Sequence, residues 1–137
     1  MTCDLDRSLK AVGPLLEFVD RFAEEHELDE RLAFATRIVT EELFANLVRH
    51  NVGGRETIEV GLTLDDELLT LCLRDFDVEP FDAAGRGPVD VSRPLSERTA
   101  GGLGLHFVRS FFDDLSYSHS GGTMRVAASK RIRRSDV

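Results

Sequence analysis

The sequence predicts an α+β domain, a two-layer sandwich in which helices cover one face of a mixed, mostly antiparallel sheet. Three observations predict this fold class. Apolar residues recur at helical spacing near the N-terminus, they alternate with polar residues in two later pairs of segments, and 137 residues suffice for one core. The predicted order is helix, helix, hairpin, long loop, helix, hairpin, which is typical of two packed layers.

Two helices are predicted in the N-terminal part of the chain. Apolar residues at helical spacing place the first from Val12 to Glu25, with Pro14 in its first turn, where proline is tolerated. The second begins around Asp29, a residue type that caps helix N-termini, and continues to about His50. The glycines of "NVGG" then end it.

Strands are predicted from apolar residues that alternate with polar ones. The segment "CDLDRSL" is predicted as a weak edge strand, and "TIEVGLTL" and "LLTLCLRD" as a hairpin whose turn is at Asp65 and Asp66. The segments "LSYSHS" and "TMRVAASKRI" predict a closing hairpin around Gly121 and Gly122. Such hairpins supply the sheet on which the helices pack.

Between the hairpins, the pattern dissolves into Pro, Gly, Asp and Ser from Phe76 to Ala100. A loop of about 25 residues is unusual inside a compact domain, and such loops tend to be lids or binding segments. A third helix is predicted from about Leu103 to Phe112, after the glycines of "TAGGLGL".

Composition excludes several functional classes. The formal net charge of -8 argues against a nucleic-acid scaffold, since phosphate binding needs concentrated Lys and Arg. The two cysteines predict neither a disulfide framework nor a metal site. No stretch has the length of a signal peptide or a membrane span, so a reducing cytoplasm is expected, with no membrane contact.

A carboxylate and a carboxamide interrupt the apolar stripe of the second predicted helix. Glu42 and Asn46 are four residues apart in "TEELFANLVRHN" and so lie about 40° from one another around the helix. A buried glutamate without a partner costs several kcal/mol or gives up its charge. One interpretation is a solvated pair. The other is a site in which Asn46 binds a metal ion and Glu42 acts as a base.

Three further motifs have both a functional and an ordinary interpretation. The glycines of "TAGGLGLHFVRSF" would let backbone N–H groups approach phosphates at a helix start, although many such segments are simple loop ends. Asp75 ends a strand, where it is either part of a polar turn or an acceptor for an exocyclic amine. The segment "HSGGT" by itself predicts only a hairpin turn.

In this order, the motifs resemble the GHKL ATPase superfamily, whose Bergerat (histidine-kinase-like ATPase) fold binds ATP beneath a mobile lid. The segments "TEELFANLVRH", "DVEPFD", "GGLGLHFVRSFFDDLSY" and "GGT" look most like the small anti-sigma-factor serine-protein kinases. The resemblance covers nearly the whole chain. It implies a single ATPase domain over residues 1–137, with the ATP lid at 76–100.

The resemblance also implies roles for single residues. Asn46 would coordinate Mg²⁺, Glu42 would be the general base that activates a substrate serine, and Asp75 would receive the adenine amino group. The resemblance implies further nucleotide contacts from Thr123 and from the phosphate loop of Gly101, Gly102, Leu103, Gly104 and Leu105. Arg49, one turn beyond Asn46, would face the phosphates or simply favour the negative end of the helix dipole.

The sequence departs from the family pattern at Asp77, where a glycine is expected two residues after Asp75. Glycine there lets the chain turn closely beneath the nucleotide. Asp77 adds a side chain and a negative charge near the expected polyanion. It is compatible with the turn only if its backbone avoids positive φ or adopts the left-handed region that Asp sometimes reaches.

The resemblance implies an ATP-dependent serine-protein kinase that acts as an anti-sigma factor in bacterial partner switching. Its partners would be a sigma factor and an anti-anti-sigma (STAS-type) protein, and it would commonly form a homodimer, supported by exposed apolar residues of the first helix. An alternative, motivated by Asp77, is a catalytically weak or inactive nucleotide-binding regulatory module that works by binding a partner protein. A detached histidine-kinase catalytic domain with phosphoacceptor His26 is disfavoured, because no room remains for a dimerising helical hairpin.

Overall fold

The computed structural model describes residues 1–50, 56–78 and 110–132. Within these ranges the chain forms β1 (Thr2–Asp6), a short 3-10 helix (Leu9–Ala11), α1 (Val12–Glu25), α2 (Glu30–His50), β2 (Thr57–Asp65), β3 (Leu68–Asp75), β4 (Asp114–Ser120) and β5 (Thr123–Arg131). Nearly all of the predicted lid and most of the predicted third helix lie outside the described residues. That the whole chain is one domain stays a prediction.

The five described strands form one sheet in the order β1-β2-β3-β5-β4, and every pairing between them is antiparallel. Alternation along the strands separates two faces. On one face, apolar residues such as Leu62, Leu71 and Val126 are fully or almost fully buried and join α1 and α2 in one core. The predicted α+β class, with helices covering one face of a sheet, is confirmed, and where a mixed, mostly antiparallel sheet was predicted the described strands pair only in the antiparallel direction.

The first helix has the predicted bounds and buries its apolar stripe against the core. Its buried residues are Leu15, Phe18, Val19, Phe22 and Ala23. The large hydrophobic side chains that are exposed in the described part of the chain are Met1, Leu9, Phe34 and Leu68, and none of them lies on α1. The exposed apolar surface that was expected to support a homodimer is therefore not found on this helix, and the homodimer stays a prediction.

The second helix begins at the predicted cap. The Asp29 carboxylate oxygen Oδ1 accepts a hydrogen bond from the backbone N–H of Leu32 at 2.7 Å. This bond satisfies one of the backbone donors that a helix N-terminus leaves without partners. The helix then runs to His50, the end that the sequence predicted.

The hairpin turn between β2 and β3 lies one residue later than predicted. Asp65 pairs with Leu68, so the turn consists of Asp66 and Glu67 and not of Asp65 and Asp66. The reason is conformational: Asp66 has a φ of 55°, and Asp is among the few residues with a side chain that tolerate this left-handed region. No helix in the described ranges is both long and apolar enough to cross a membrane.

Truncation of a buried residue of α2 should destabilise the fold far more than truncation of an exposed one. Leu43 is 1% exposed, and Phe34, on the same helix, is 59% exposed. We expect Leu43→Ala to lower the free energy of unfolding by about 2–5 kcal/mol, because it leaves a cavity in the core. Phe34→Ala should change it by about 0.5 kcal/mol or less. Urea unfolding followed by circular dichroism checks both, and equal losses would contradict the described packing.

Candidate functional site

The buried face of α2 carries polar side chains of two kinds. Thr36 and Thr40 are fully buried, and their hydroxyls donate to the carbonyl oxygens four residues earlier, at 2.8 Å and 2.7 Å. Their hydrogen-bonding capacity is therefore satisfied inside the helix. Asn46, 5% exposed, and the half-buried Glu42 are not satisfied in this way. Asn46 and Glu42 are thus the polar groups of this face that need a further hydrogen-bond partner.

Glu42 and Asn46 share one neighbour, the exposed Arg49. Nη1 of Arg49 donates to Oδ1 of Asn46 at 3.4 Å, near the upper limit for a hydrogen bond. The positive charge of Arg49 also acts electrostatically on Glu42. The structure therefore brings together the three residues that the sequence placed on one helix face, although the role of each in binding stays a prediction.

Burial changes the acid–base behaviour of Glu42. Loss of solvation raises the pKa of its carboxyl group above the ordinary value of 4.5, Arg49 opposes this increase, and Glu41 adds to it. Within the described part of the chain, its Oε1 atom is buried and finds no hydrogen-bond partner. A carboxylate with a raised pKa and an unsatisfied oxygen is suited to accept a proton from a bound group.

Asp75 ends β3 on the helix-covered side of the sheet. Its partners in register are Ile58 of β2 and Met124 of β5, and all three side chains are buried. Facing strand neighbours project to the same side, so the Asp75 carboxylate lies in the layer between sheet and helices. It is the only fully buried acidic side chain in the described ranges.

The turn after β3 is hydrogen-bonded to the tip of the β4–β5 hairpin. The backbone N–H of Val78 donates to the carbonyl of Gly122 at 2.9 Å, and Nε2 of His119 donates to the carbonyl of Val78 at 2.7 Å. Asp77, in this turn, has a φ of 59°. Asp77 thus adopts the left-handed conformation in which a glycine would be expected, one of the two possibilities that the sequence left open.

The remaining predicted site residues are only partly described. Thr123 is half-buried at the start of β5, opposite Ser120 in register. Because Met124 faces the helices, alternation along β5 directs Thr123 to the other face, so its role beside the adenine stays a prediction. The predicted phosphate loop, residues 101–105, lies outside the described ranges.

The arrangement on α2 fits a hard cation that also binds phosphate oxygens. Groups of three or more His, Cys, Asp or Glu side chains suited to a metal ion do not occur in the described ranges. Mg²⁺ commonly uses only one or two protein ligands together with water and substrate phosphates. Among the described residues, the Asn46 side-chain oxygen accepts a long hydrogen bond from Arg49 and the Glu42 oxygen Oε1 has no partner, so both fit that requirement.

One residue of the site was missed by the sequence analysis. Arg7 directly follows β1, and both of its terminal nitrogens donate to the two oxygens of Asp75. The sequence pattern of its segment predicts only an edge strand. The pairing depends on β1 lying beside β2 and β2 beside β3, an arrangement that no local pattern in the sequence specifies.

Comparison with known proteins bears on this site. The profile of the family described as "Histidine kinase-like ATPase domain" matches residues 5–130, nearly the whole chain. This match confirms the resemblance to the histidine-kinase-like ATPases that the sequence motifs predicted. Among solved structures, the histidine kinase domain of the Erythrobacter litoralis EL346 blue-light-activated kinase aligns with a TM-score of 0.47 and 17% identity, covering 73% of this chain and 44% of that one.

Curated relatives are serine-protein kinases named RsbW. The protein of Halalkalibacterium halodurans is 26% identical over 105 residues, an alignment that covers 74% of this chain and 64% of the kinase. A protein of Bacillus cereus is 31% identical over 108 residues, covering 74% of this chain and 65% of the kinase. This chain thus matches slightly less than two thirds of the length of these relatives.

The left-handed backbone at Asp77 predicts a difference between two substitutions. Asp77→Gly and Asp77→Ala both remove the carboxylate, but only glycine adopts a φ of 59° without steric cost. We expect the glycine variant to have the larger free energy of unfolding, by about 1 kcal/mol. Urea unfolding measures the difference. Equal stabilities, or a more stable alanine variant, would show that Asp77 is not held in this conformation.

The raised pKa of Glu42 predicts a pH-dependent stability. The folded state holds the Glu42 proton more tightly than the unfolded state, so this residue's contribution to stability is lost as the pH rises from 4.5 through the raised value. Over that interval, Glu42→Gln should gain stability relative to the wild type. Urea unfolding at several pH values measures this, with Glu41→Gln as the neighbouring control. A stability difference that does not change with pH would contradict the burial of Glu42.

Proposed function

Because the chain belongs to the histidine kinase-like ATPase family, we propose that it is an ATP-dependent serine-protein kinase that acts as an anti-sigma factor. In this function it binds a sigma factor in one state. In another it phosphorylates a small anti-anti-sigma (STAS-type) protein on serine. The observation that carries the proposal is Glu42, whose buried Oε1 lacks a hydrogen-bond partner among the described residues, one turn from the buried Asn46. The names of the RsbW relatives support serine as the acceptor.

Glu42 is the general base of the proposed reaction. Its carboxylate accepts the proton of the serine hydroxyl as the serine oxygen bonds to the γ-phosphorus of ATP and the bond to the β–γ bridging oxygen breaks. The raised pKa brings the carboxyl group closer to the pH at which a base is most effective. General-base catalysis of this kind contributes about 100- to 10,000-fold to a rate.

Asn46 and Arg49 hold the phosphate end of the nucleotide in this proposal. The Asn46 side-chain oxygen would bind Mg²⁺, and the Arg49 guanidinium, whose Nη1 lies 3.4 Å from that oxygen, would contact the same phosphates. When bound, Mg²⁺ neutralises charge on the phosphate oxygens. The residues of the phosphate loop, Gly101 to Leu105, supply backbone N–H groups.

Asp75 recognises the adenine base in the proposed complex. An ionised carboxylate only accepts hydrogen bonds, so it selects the exocyclic amine of adenine. Its position at the end of β3 is fixed by the pairing of this strand with β2 and β5. Asp77, in the following turn, adds a second negative charge close to this end of the site.

A partner-binding module without catalysis is the second candidate. The observation that favours it is the exposed carboxylate of Asp77, which repels a polyanion at the position where the family has a glycine. Such a module would hold its protein partner by surface contacts alone. ATP binding and phosphate transfer, measured separately, distinguish this candidate from the kinase.

The kinase is tested by transfer of radioactive phosphate from γ-labelled ATP to a purified STAS-type protein. We expect transfer by the wild type and a loss of about 100-fold or more in Glu42→Ala, because the base is removed. ATP affinity, measured by calorimetry, should change little. Glu41→Ala, the adjacent acidic residue, is the matched control and should retain transfer.

Three outcomes separate the candidates. Neither transfer nor ATP binding by the wild type would reject the kinase. ATP binding without transfer would favour the non-catalytic module. Transfer that survives in Glu42→Ala would leave a kinase whose general base is a different group.

A further inference from the structure

The first strand is a terminal strand of the described sheet. Among the described strands, β1 pairs with β2 alone. The amino group of Met1 donates to the carbonyl of Leu62 at 3.1 Å, and the N–H of Leu62 donates to the carbonyl of Met1 at 2.9 Å. Backbone groups of an antiparallel strand point alternately to its two sides. The backbone groups of Thr2, Asp4 and Asp6 therefore point away from β2, toward the outer edge of the sheet.

This outer edge of β1 is accessible over most of its length. Thr2, Asp4 and Asp6 are all exposed. The Asp6 carbonyl accepts a hydrogen bond from the N–H of Ser8 at 2.7 Å, so this acceptor is already in use. The N–H and carbonyl groups of Thr2 and Asp4 are directed outward. Backbone groups in this position are the ones to which an extended segment of another chain bonds when it adds a strand to a sheet.

A cavity of about 370 Å³ lies beside this edge, between β1 and the start of α1. Leu5, Ala11 and Pro14 form an apolar part of its lining, and Leu5 belongs to the core on the helix-covered side of the sheet. Residues that face each other on paired strands project to the same side of the sheet. The residue of an added strand that faces Leu5 would therefore direct its side chain toward this cavity.

The charge along the same edge is negative. Asp4 and Asp6 alternate with Leu5, so their side chains project to the other side of the sheet, which the described helices leave uncovered. Both aspartates also line the cavity, together with one cation, Lys10. On an added strand, the two residues that face the aspartates would have Cβ atoms about 5 Å from theirs. Lysine or arginine is attracted at these positions, and an acidic residue is repelled.

A second copy of β1 fits this edge poorly. Antiparallel pairing of two copies about Asp4 or about Leu5 places aspartates of one copy directly opposite aspartates of the other. Like charges directly opposite one another destabilise a pair of strands. The aspartates therefore favour a basic segment of a different protein over self-association through this strand.

We infer that the outer edge of β1 binds an extended basic segment of a protein partner, which adds to the sheet as an antiparallel strand. The segment has the pattern basic–apolar–basic. Its two basic side chains face Asp4 and Asp6, and the apolar side chain between them enters the cavity beside Leu5. Backbone hydrogen bonds to Thr2 and Asp4 supply affinity, and the three side chains supply selectivity. This docking surface is separate from the proposed nucleotide site and does not depend on it.

The test uses three synthetic peptides with blocked ends and the isotope-labelled full chain. The first peptide, Thr-Thr-Lys-Val-Lys-Thr-Thr, has the inferred pattern. The second has glutamate in place of both lysines, and the third has serine in place of valine. NMR titration shows which amide signals move and gives the dissociation constants.

We expect the first peptide to move the amide signals of β1, with a dissociation constant of about 1 mM or less. The glutamate peptide should bind at least about tenfold more weakly, because repulsion by Asp4 and Asp6 replaces attraction. The serine peptide should also bind about tenfold more weakly, because it buries less apolar surface in the cavity.

Charge reversal at the edge should invert the selectivity. We expect the double variant Asp4→Lys, Asp6→Lys to bind the glutamate peptide about tenfold more tightly than the lysine peptide. Both positions are exposed, so the fold should be retained, which the amide spectrum shows directly. Asp114→Lys is the matched control, because Asp114 is an exposed aspartate on β4, the other terminal strand of the described sheet. It should bind all three peptides as the wild type does.

Unmoved β1 signals in the wild type with the lysine peptide would overturn the inference, and so would equal binding of the lysine and glutamate peptides. Signals that move only outside β1 would overturn it as well, since the basic peptide would then bind a different surface. A wild type that sediments as a dimer, together with a monomeric Asp4→Lys, Asp6→Lys variant, would overturn it by assigning the edge to a second copy of the chain. Phosphate transfer and ATP binding do not enter these measurements, so failure of the kinase proposal is distinguishable from failure of this one.

Discussion

The packing of α2 on the antiparallel sheet is the interaction on which the rest of the structure depends. It buries the apolar stripe of the helix against strands whose inner residues are fully buried, such as Leu71. The same packing encloses Asn46 and Asp75, one from each layer. Burial of polar groups costs free energy unless they are hydrogen-bonded. The core that stabilises the fold therefore also buries the polar groups of the candidate site, and these groups need hydrogen-bond partners.

The described polar groups differ in how their hydrogen-bonding capacity is satisfied. Thr36 and Thr40 bond to their own helix, and Asp75 binds Arg7. Glu42 remains: burial raises the pKa of its carboxyl group, and its Oε1 has no hydrogen-bond partner among the described residues. The two threonines are satisfied within their own helix, whereas a group that accepts a proton from a substrate needs unused hydrogen-bonding capacity. This difference, more than burial alone, distinguishes Glu42 from the threonines on the same helix.

Local signals in the sequence were sufficient for the elements of the fold but not for all of the site. The spacing of apolar residues predicted α1 correctly. The start of α2 was predicted correctly because Asp29 makes the capping hydrogen bond that its residue type favours. Asp75 was recognised as a candidate from motif order. Arg7 could not be recognised, because its contact with Asp75 spans 68 residues of sequence and exists only after three strands have paired. The predicted hairpin turn was wrong by one residue for a related reason. Asp65 and Asp66 are both residue types that suit a turn, and the pairing of Asp65 with Leu68 across the strands decides between them.

At Asp77, where the resemblance predicts a glycine, the aspartate would change the charge of the site more than the course of the backbone. Its φ of 59° is a conformation that glycine adopts readily, and the bonds from Val78 to Gly122 and from His119 to Val78 hold the turn in place. What an aspartate adds is a carboxylate, and this one is exposed. In about 0.1 M salt, the interaction of an exposed charge with another charge is largely screened beyond about 10 Å. The cost of Asp77 to binding of a polyanion is therefore electrostatic and falls with ionic strength, whereas a distorted turn would weaken binding at every salt concentration.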